Sequence, residues 1–153
     1  RLFKLDNNLF LNLVSLRLLD LSQNKLQKID DLHFENLIEL TNLFLDENQL
    51  TSLGKNSFKN LINLRYLNLS HNCLFKIDAN LFRNLSNIYY LELNLNQIVK
   101  IDEKIFQNLS SLFYLDLSSN RFLSFKPKTF TYLKGLQFLN LSNNFLTNFD
   151  FYI

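Results

Sequence analysis

Methionine and tryptophan are absent from this chain of 153 residues, which holds only 2 glycines, 1 proline and 1 cysteine. With so little glycine and proline, its turns have to be made by another residue. Asparagine is the next best choice, because its amide bonds nearby backbone and it tolerates left-handed dihedrals. The lone Cys73 has no internal partner, so it reveals nothing about the redox compartment. Gly54 and Gly135 lie too far apart to build a phosphate-cradling loop. No apolar run approaches the roughly 18 residues of a membrane span. Charge of one sign is also lacking. Lys plus Arg is 16 against 14 for Asp plus Glu, a net +2 that points neither to nucleic acid nor to an anionic membrane. The chain opens on Arg1 with no leader pattern, and it reads as an excerpt of a longer protein with repeats or caps expected at both ends.

Apolar residues make up 47% of the chain and charged residues 20%, enough of the first to build a core and too few of the second for disorder. Their arrangement is periodic. Written in lines of 24, the sequence aligns without a gap. Column one holds Leu16, Leu40, Leu64, Ile88, Leu112 and Leu136. Column four holds Leu19, Leu43, Leu67, Leu91, Leu115 and Leu139, and column six Leu21, Leu45, Leu69, Leu93, Leu117 and Leu141. Column nine is always asparagine: Asn24, Asn48, Asn72, Asn96, Asn120 and Asn144. Column eleven is Leu26, Leu50, Leu74, Ile98, Phe122 and Leu146, and column nineteen is Phe10, Phe34, Phe58, Phe82, Phe106 and Phe130.

Each line therefore reads L-x-x-L-x-L-x-x-N-x-L-x-x-I-x-x-x-x-F-x-x-L. This pattern resembles the leucine-rich-repeat family over nearly the whole chain, and so many matching columns at one fixed period make the signal specific. The length of 24 with its Phe column is similar to the typical class found in extracellular animal proteins, Toll-like receptor ectodomains among them. The resemblance implies an α/β fold: a right-handed leucine-rich-repeat solenoid with a concave parallel β-sheet and an irregular or short-helical convex side. Residues 1–153 form one array: a half repeat over 1–15, repeats starting at 16, 40, 64, 88 and 112, and a truncated one at 136.

Elementary physics leads to the same architecture. The L-x-L step alternates, so it is a short strand with its leucines on one side. A strand recurring in one direction every 24 residues builds a parallel sheet by stacking. The Phe column pins the return path to the core. The column-nine asparagines sit where the chain leaves the strand, and a stack of them is expected to form a ladder that bonds backbone groups left over by the bend. The core residues of a single repeat do not offset the entropy of ordering it, so stability has to come from neighbours.

Function is sought in the variable columns. Columns three, five and seven are expected to point away from the core, with column eight beside them. Column three carries an aromatic stripe, Tyr66, Tyr90, Tyr114 and Phe138. Tyrosine suits a binding hot spot because it buries a large ring and keeps a polar tip, although aromatic rings on neighbouring strands also simply pack on one another. Phe44 lies in column five. Acidic groups follow: Asp20, Asp46, Glu47, Glu92 and Asp116, with no Lys or Arg in these four columns. Lys28, Lys76 and Lys100 occupy one flanking column. A mildly acidic concave face would steer a basic protein or peptide toward itself.

Other constellations carry less. His71 and Cys73 lack a third orienting group or further ligands, so neither catalysis nor a metal site is expected there. His33, beside Phe34, reads as a surface or packing histidine. Four N-x-S/T sequons occur, at Asn68, Asn84, Asn108 and Asn140. Those at Asn68 and Asn140 fall in the face columns, while Asn84 and Asn108, on the return side, are the better glycan acceptors. They also share a column with Asn12, Asn36 and Asn60, which suggests a structural role. The sequence leads us to expect a module that binds a protein or peptide ligand, outside the cell or at its surface, with a cytoplasmic scaffold and a ligand-free spacer as alternatives. No enzyme activity, cofactor, metal, nucleic acid or direct membrane contact is expected.

Overall fold

The computed structural model describes residues 1–147, and it is built from stacked coils. Six three-residue strands form one parallel sheet: β1 (Leu18–Asp20), β3 (Asn42–Phe44), β5 (Tyr66–Asn68), β6 (Tyr90–Glu92), β7 (Tyr114–Asp116) and β8 (Phe138–Asn140). Neighbours pair in steps of one repeat, so Leu19 faces Leu43, Leu43 faces Leu67, and so on to Leu139. Two shorter strands, β2 (Lys28–Ile29) and β4 (Ser52–Leu53), pair behind the first two coils. No helix occurs among the described residues, and the convex side is a succession of turns. Of the two convex architectures the sequence allows, the irregular one is found.

The core follows the columns. Leu40, Leu43, Leu45, Leu50, Phe58 and Leu61 of a single coil are completely buried. Phe34, Phe58, Phe82 and Phe106 are buried too, and ring stacking runs along this column at 6.1–6.3 Å between Phe10 and Phe34 and between Phe34 and Phe58. Column eighteen, which periodicity did not single out, is buried as well: His33, Ser57, Leu81, Ile105 and Thr129. His33 is thus a packing histidine. Its Nδ1 accepts the Asp30 N–H at 3.0 Å, and burial holds its pKa below the ordinary value against the pull of Asp30.

The asparagine ladder is present at every coil. The Asn72 side-chain oxygen accepts the N–H of Leu50 in the preceding coil at 2.9 Å. Its amide nitrogen donates to Leu69 and Ser70 of its own coil and to Leu45 of the preceding one. Asn48, Asn96, Asn120 and Asn144 repeat this arrangement. Asn24 has the same local bonds and accepts from Leu2. From Asn48 to Asn120 each side chain therefore satisfies buried backbone groups in two coils at once, which clamps neighbouring coils together.

The left-handed dihedrals fall one residue earlier than the asparagine column. Gln23, Glu47, His71, Leu95, Ser119 and Asn143, all of column eight, have φ of 51–54°. The cause lies in the ladder of main-chain bonds: the column-eight N–H donates to the column-seven carbonyl of the next coil, as from His71 to Asn94 and from Leu95 to Ser118. Glycine is used for close approach instead. A Cβ on Gly54 would lie 2.9 Å from the Asp31 backbone nitrogen and against its carboxylate. That carboxylate accepts from both the backbone and side chain of Asn56, bonds that hold its pKa below the usual carboxylate range.

Candidate binding face

Because side chains alternate across a strand, the leucines of column four from Leu19 to Leu115 are buried, with Leu139 of the last strand exposed, while columns three and five emerge on the sheet's outer face. Leu18, Asp20 and Phe138 are exposed there, and Asn42, Phe44, Tyr66, Asn68, Tyr90, Glu92 and Tyr114 are half-buried. Asp116 departs from this pattern. It is only 7% exposed, because it accepts the Ser118 N–H at 2.8 Å and the Asn140 amide at 3.1 Å and lies near the Tyr114 hydroxyl at 3.4 Å. Column seven departs further: Ser70 and Ser118 are buried, because the chain already bends there. The expectation that column seven simply points outward is therefore corrected.

The bend explains the chemistry of column five. Asp20, Asn68, Asp116 and Asn140 each accept the N–H two residues on, closing a turn at the strand end. This bond and the Ser22 hydroxyl hold the Asp20 pKa down. Phe44 and Glu92 occupy the same column and make no such turn bond. Glu92 instead accepts the hydroxyl of Tyr66 on the neighbouring strand, β5. Burial, with this bond, pushes the Tyr66 pKa far above the ordinary phenol value, and burial raises that of Tyr114. Asp46 is raised by burial, with Asp20 and Glu47 nearby adding to it.

The aromatic stripe forms a continuous ladder. Ring centroids are 5.2 Å apart from Phe44 to Tyr66, 5.5 Å from Tyr66 to Tyr90 and 5.7 Å from Tyr90 to Tyr114. Tyr114 and Phe138 stack in parallel at 4.4 Å. The rings thus rest on one another and also border the open face. Column two, which the sequence reading passed over, extends this surface. Tyr89 and Phe113 stack at 4.8 Å, and Tyr89 meets Tyr90 edge-on. A groove of about 540 Å³ runs between Asn42, Arg65, Tyr66, Asn87, Tyr89 and Tyr90. The signal in the sequence was an aromatic pair, Tyr89 and Tyr90, immediately before L-x-L.

The model of the family described as Leucine rich repeat matches residues 15–37, 38–98 and 86–146. The chain belongs to the leucine-rich-repeat family. Among solved structures, these leucine-rich repeats are similar to Toll in its complex with Spatzle from Drosophila: 33% identity, TM-score 0.89, 94% of this chain and 19% of that one. TLR13, in a complex with single-stranded RNA, is 27% identical with a TM-score of 0.83, over 97% of this chain and 24% of that one. A complex of Latrophilin 3, Unc5D and the leucine-rich repeats of FLRT2 gives 31% and 0.80, over 86% and 40%. The chain thus spans well under half the length of these relatives. No curated protein sequence matches it.

Asn84 and Asn108 are exposed on the convex side, each donating its amide to a carbonyl of the preceding coil, Lys59 and Arg83 respectively. Asn60, Asn63 and Asn87 do the same, so asparagine stitches the convex side as well as the bend. His71 is exposed and Cys73 half-buried. Among the described residues no group of three or more His, Cys, Asp or Glu is placed to hold a metal ion, and no helix is long and apolar enough to cross a membrane.

Proposed function

We propose that this stretch of leucine-rich repeats is a ligand-recognition segment of an extracellular or cell-surface receptor or adhesion protein. Its ligand is a protein or peptide with basic side chains, bound on the concave sheet. The observation that carries this reading is the face itself. A five-ring aromatic ladder from Phe44 to Phe138 lies beside Asp46, Glu47, Glu92 and Asp116, with no Lys or Arg in columns three, five, seven and eight. Large rings supply contact area at small entropic cost, and the carboxylates steer cationic partners. The same charge pattern disfavours a phosphate backbone, which binds where Lys and Arg gather. The location outside the cell draws support from the Toll and FLRT2 likenesses. Asn84 and Asn108 are the glycan acceptors in this reading, since a sugar there leaves the face clear.

Alanine at Tyr66, Tyr90 and Tyr114 together tests the proposal in the protein's binding to its ligand. The expected result is a loss of affinity of at least a hundredfold with the fold retained. Unchanged binding by a folded variant would remove the stripe from the site. Tryptic mapping of protein made in a secretory host checks Asn84 and Asn108, which are expected to carry glycan while Asn68 and Asn140 stay bare.

A further inference from the structure

Column eight presents one side chain per coil at the rim of the sheet, always with left-handed backbone. Five of its six residues are polar: Gln23, Glu47, His71, Ser119 and Asn143. The sixth is Leu95, with φ of 54° and 42% exposure. A leucine is poorly suited to this position on both counts. Its Cβ crowds the following carbonyl in the left-handed region, a cost that asparagine largely escapes. Its side chain gains little from burial. The backbone leaves no escape either, because the Leu95 N–H donates to Ser118 and its carbonyl accepts from Asn72. The same coil breaks the pattern twice more. Glu92 stands where the turn-closing Asp or Asn belongs, and it is held by the Tyr66 hydroxyl. Asn94 replaces the serine or aspartate of column seven, and its side-chain oxygen is buried without a partner. Phe44 departs from column five in another coil, but only here do three departures fall together, and such a cluster marks a place shaped for something else.

We infer that Leu95 is a specificity-determining apolar anchor in the ligand face, and that it selects a cationic segment carrying an aliphatic side chain between its basic ones. This rests on the reading of the sheet as the docking face. The charge of the surroundings fixes the basic part: Glu92 lies three residues before Leu95 and Asp116 pairs with Glu92 on the next strand. Leu95 fixes the aliphatic part, since an exposed leucine between polar His71 and Ser119 offers the only apolar surface in that column. Covering it in a complex removes apolar area from water, which its strained free state leaves exposed.

Two synthetic peptides serve as probes, one alternating lysine with leucine and one alternating lysine with serine, with affinity measured by fluorescence anisotropy. The native protein is expected to prefer the leucine peptide by about tenfold, the worth of one buried aliphatic contact. Leu95→Asn is expected to reduce that preference to within about twofold, leave the serine peptide's affinity unchanged, and raise the denaturation midpoint. A tenfold preference that survives in a folded Leu95→Asn protein would overturn the anchor, as would equal binding of both peptides by the native protein. Failure of the underlying reading looks different: binding of both peptides would be indifferent to Glu92→Gln with Asp116→Asn, or absent altogether.

Discussion

Asn72→Ala should be among the most damaging single changes in the chain, and its cost follows from the bonds it removes. The Leu50 N–H, buried, loses its acceptor at 2.9 Å. The Leu45 and Leu69 carbonyls lose a donor at 3.0 and 3.2 Å, and Ser70 loses one at 3.1 Å. An orphaned buried polar group costs about 1–3 kcal/mol. The N–H has no alternative, while the carbonyls keep a second lone pair, so the sum is set at about 3–5 kcal/mol rather than the full product. That is a large part of the stability of an ordinary domain, about 5–15 kcal/mol. The control is Asn24→Ala. Its partner Leu2 is exposed, and its bonds to Leu21 and Ser22 are only partly buried, so water can replace them. About 1 kcal/mol is expected there. Urea unfolding with an unchanged m-value separates the two. Equal midpoints for the two variants, or a shift under about 1 kcal/mol for Asn72→Ala, would refute the ladder as a clamp between coils.

Further outcomes follow from other positions. Gly54→Ala drives a methyl against Asp31 and its backbone nitrogen, so unfolding should come earlier by about 1–3 kcal/mol, whereas Gly54→Ala in the background of Asp31→Ala should cost less. His33 is held below its ordinary pKa by burial, so the unfolded chain takes up the proton first as pH falls. Stability is therefore full above the unfolded value of about 6.5 and declines below it. His33→Leu, which follows Leu9 and Leu81 of the same column, should flatten the difference in unfolding free energy between pH 7.5 and 5.5; an unchanged slope would assign it to another group.

The fold was legible because one rule, repeated, fixed it. Leu43, Leu67 and Leu91 are buried partners in register, as their common spacing requires. The asparagine column was legible for the same reason. What stayed hidden depends on facts that a column does not carry. Nothing in Gln23, His71 or Leu95 signals left-handed backbone, because the neighbouring coil's carbonyl imposes it. Burial of Asp116 arises from three partners converging on one carboxylate, two of them on its own strand or turn and one on the next coil. The helical option for the convex side failed because asparagine amides and Asx turns at Asp6, Asp78 and Asp102 bond the backbone in tight turns instead. The aromatic surface was half-read: the stripe of column three was visible, but its continuation through Tyr89 and Phe113 needed the stacking geometry.

The most direct test of the account is a map of backbone amide shifts when the lysine–leucine peptide is titrated into isotope-labelled protein. If the acidic, aromatic sheet is the docking face, perturbations concentrate on β5, β6 and β7 and on residues 94–95 and 118–119. Shifts confined to the convex turns or to the flank of Lys76 and Lys100, with Tyr66, Tyr90 and Tyr114 untouched, would contradict it.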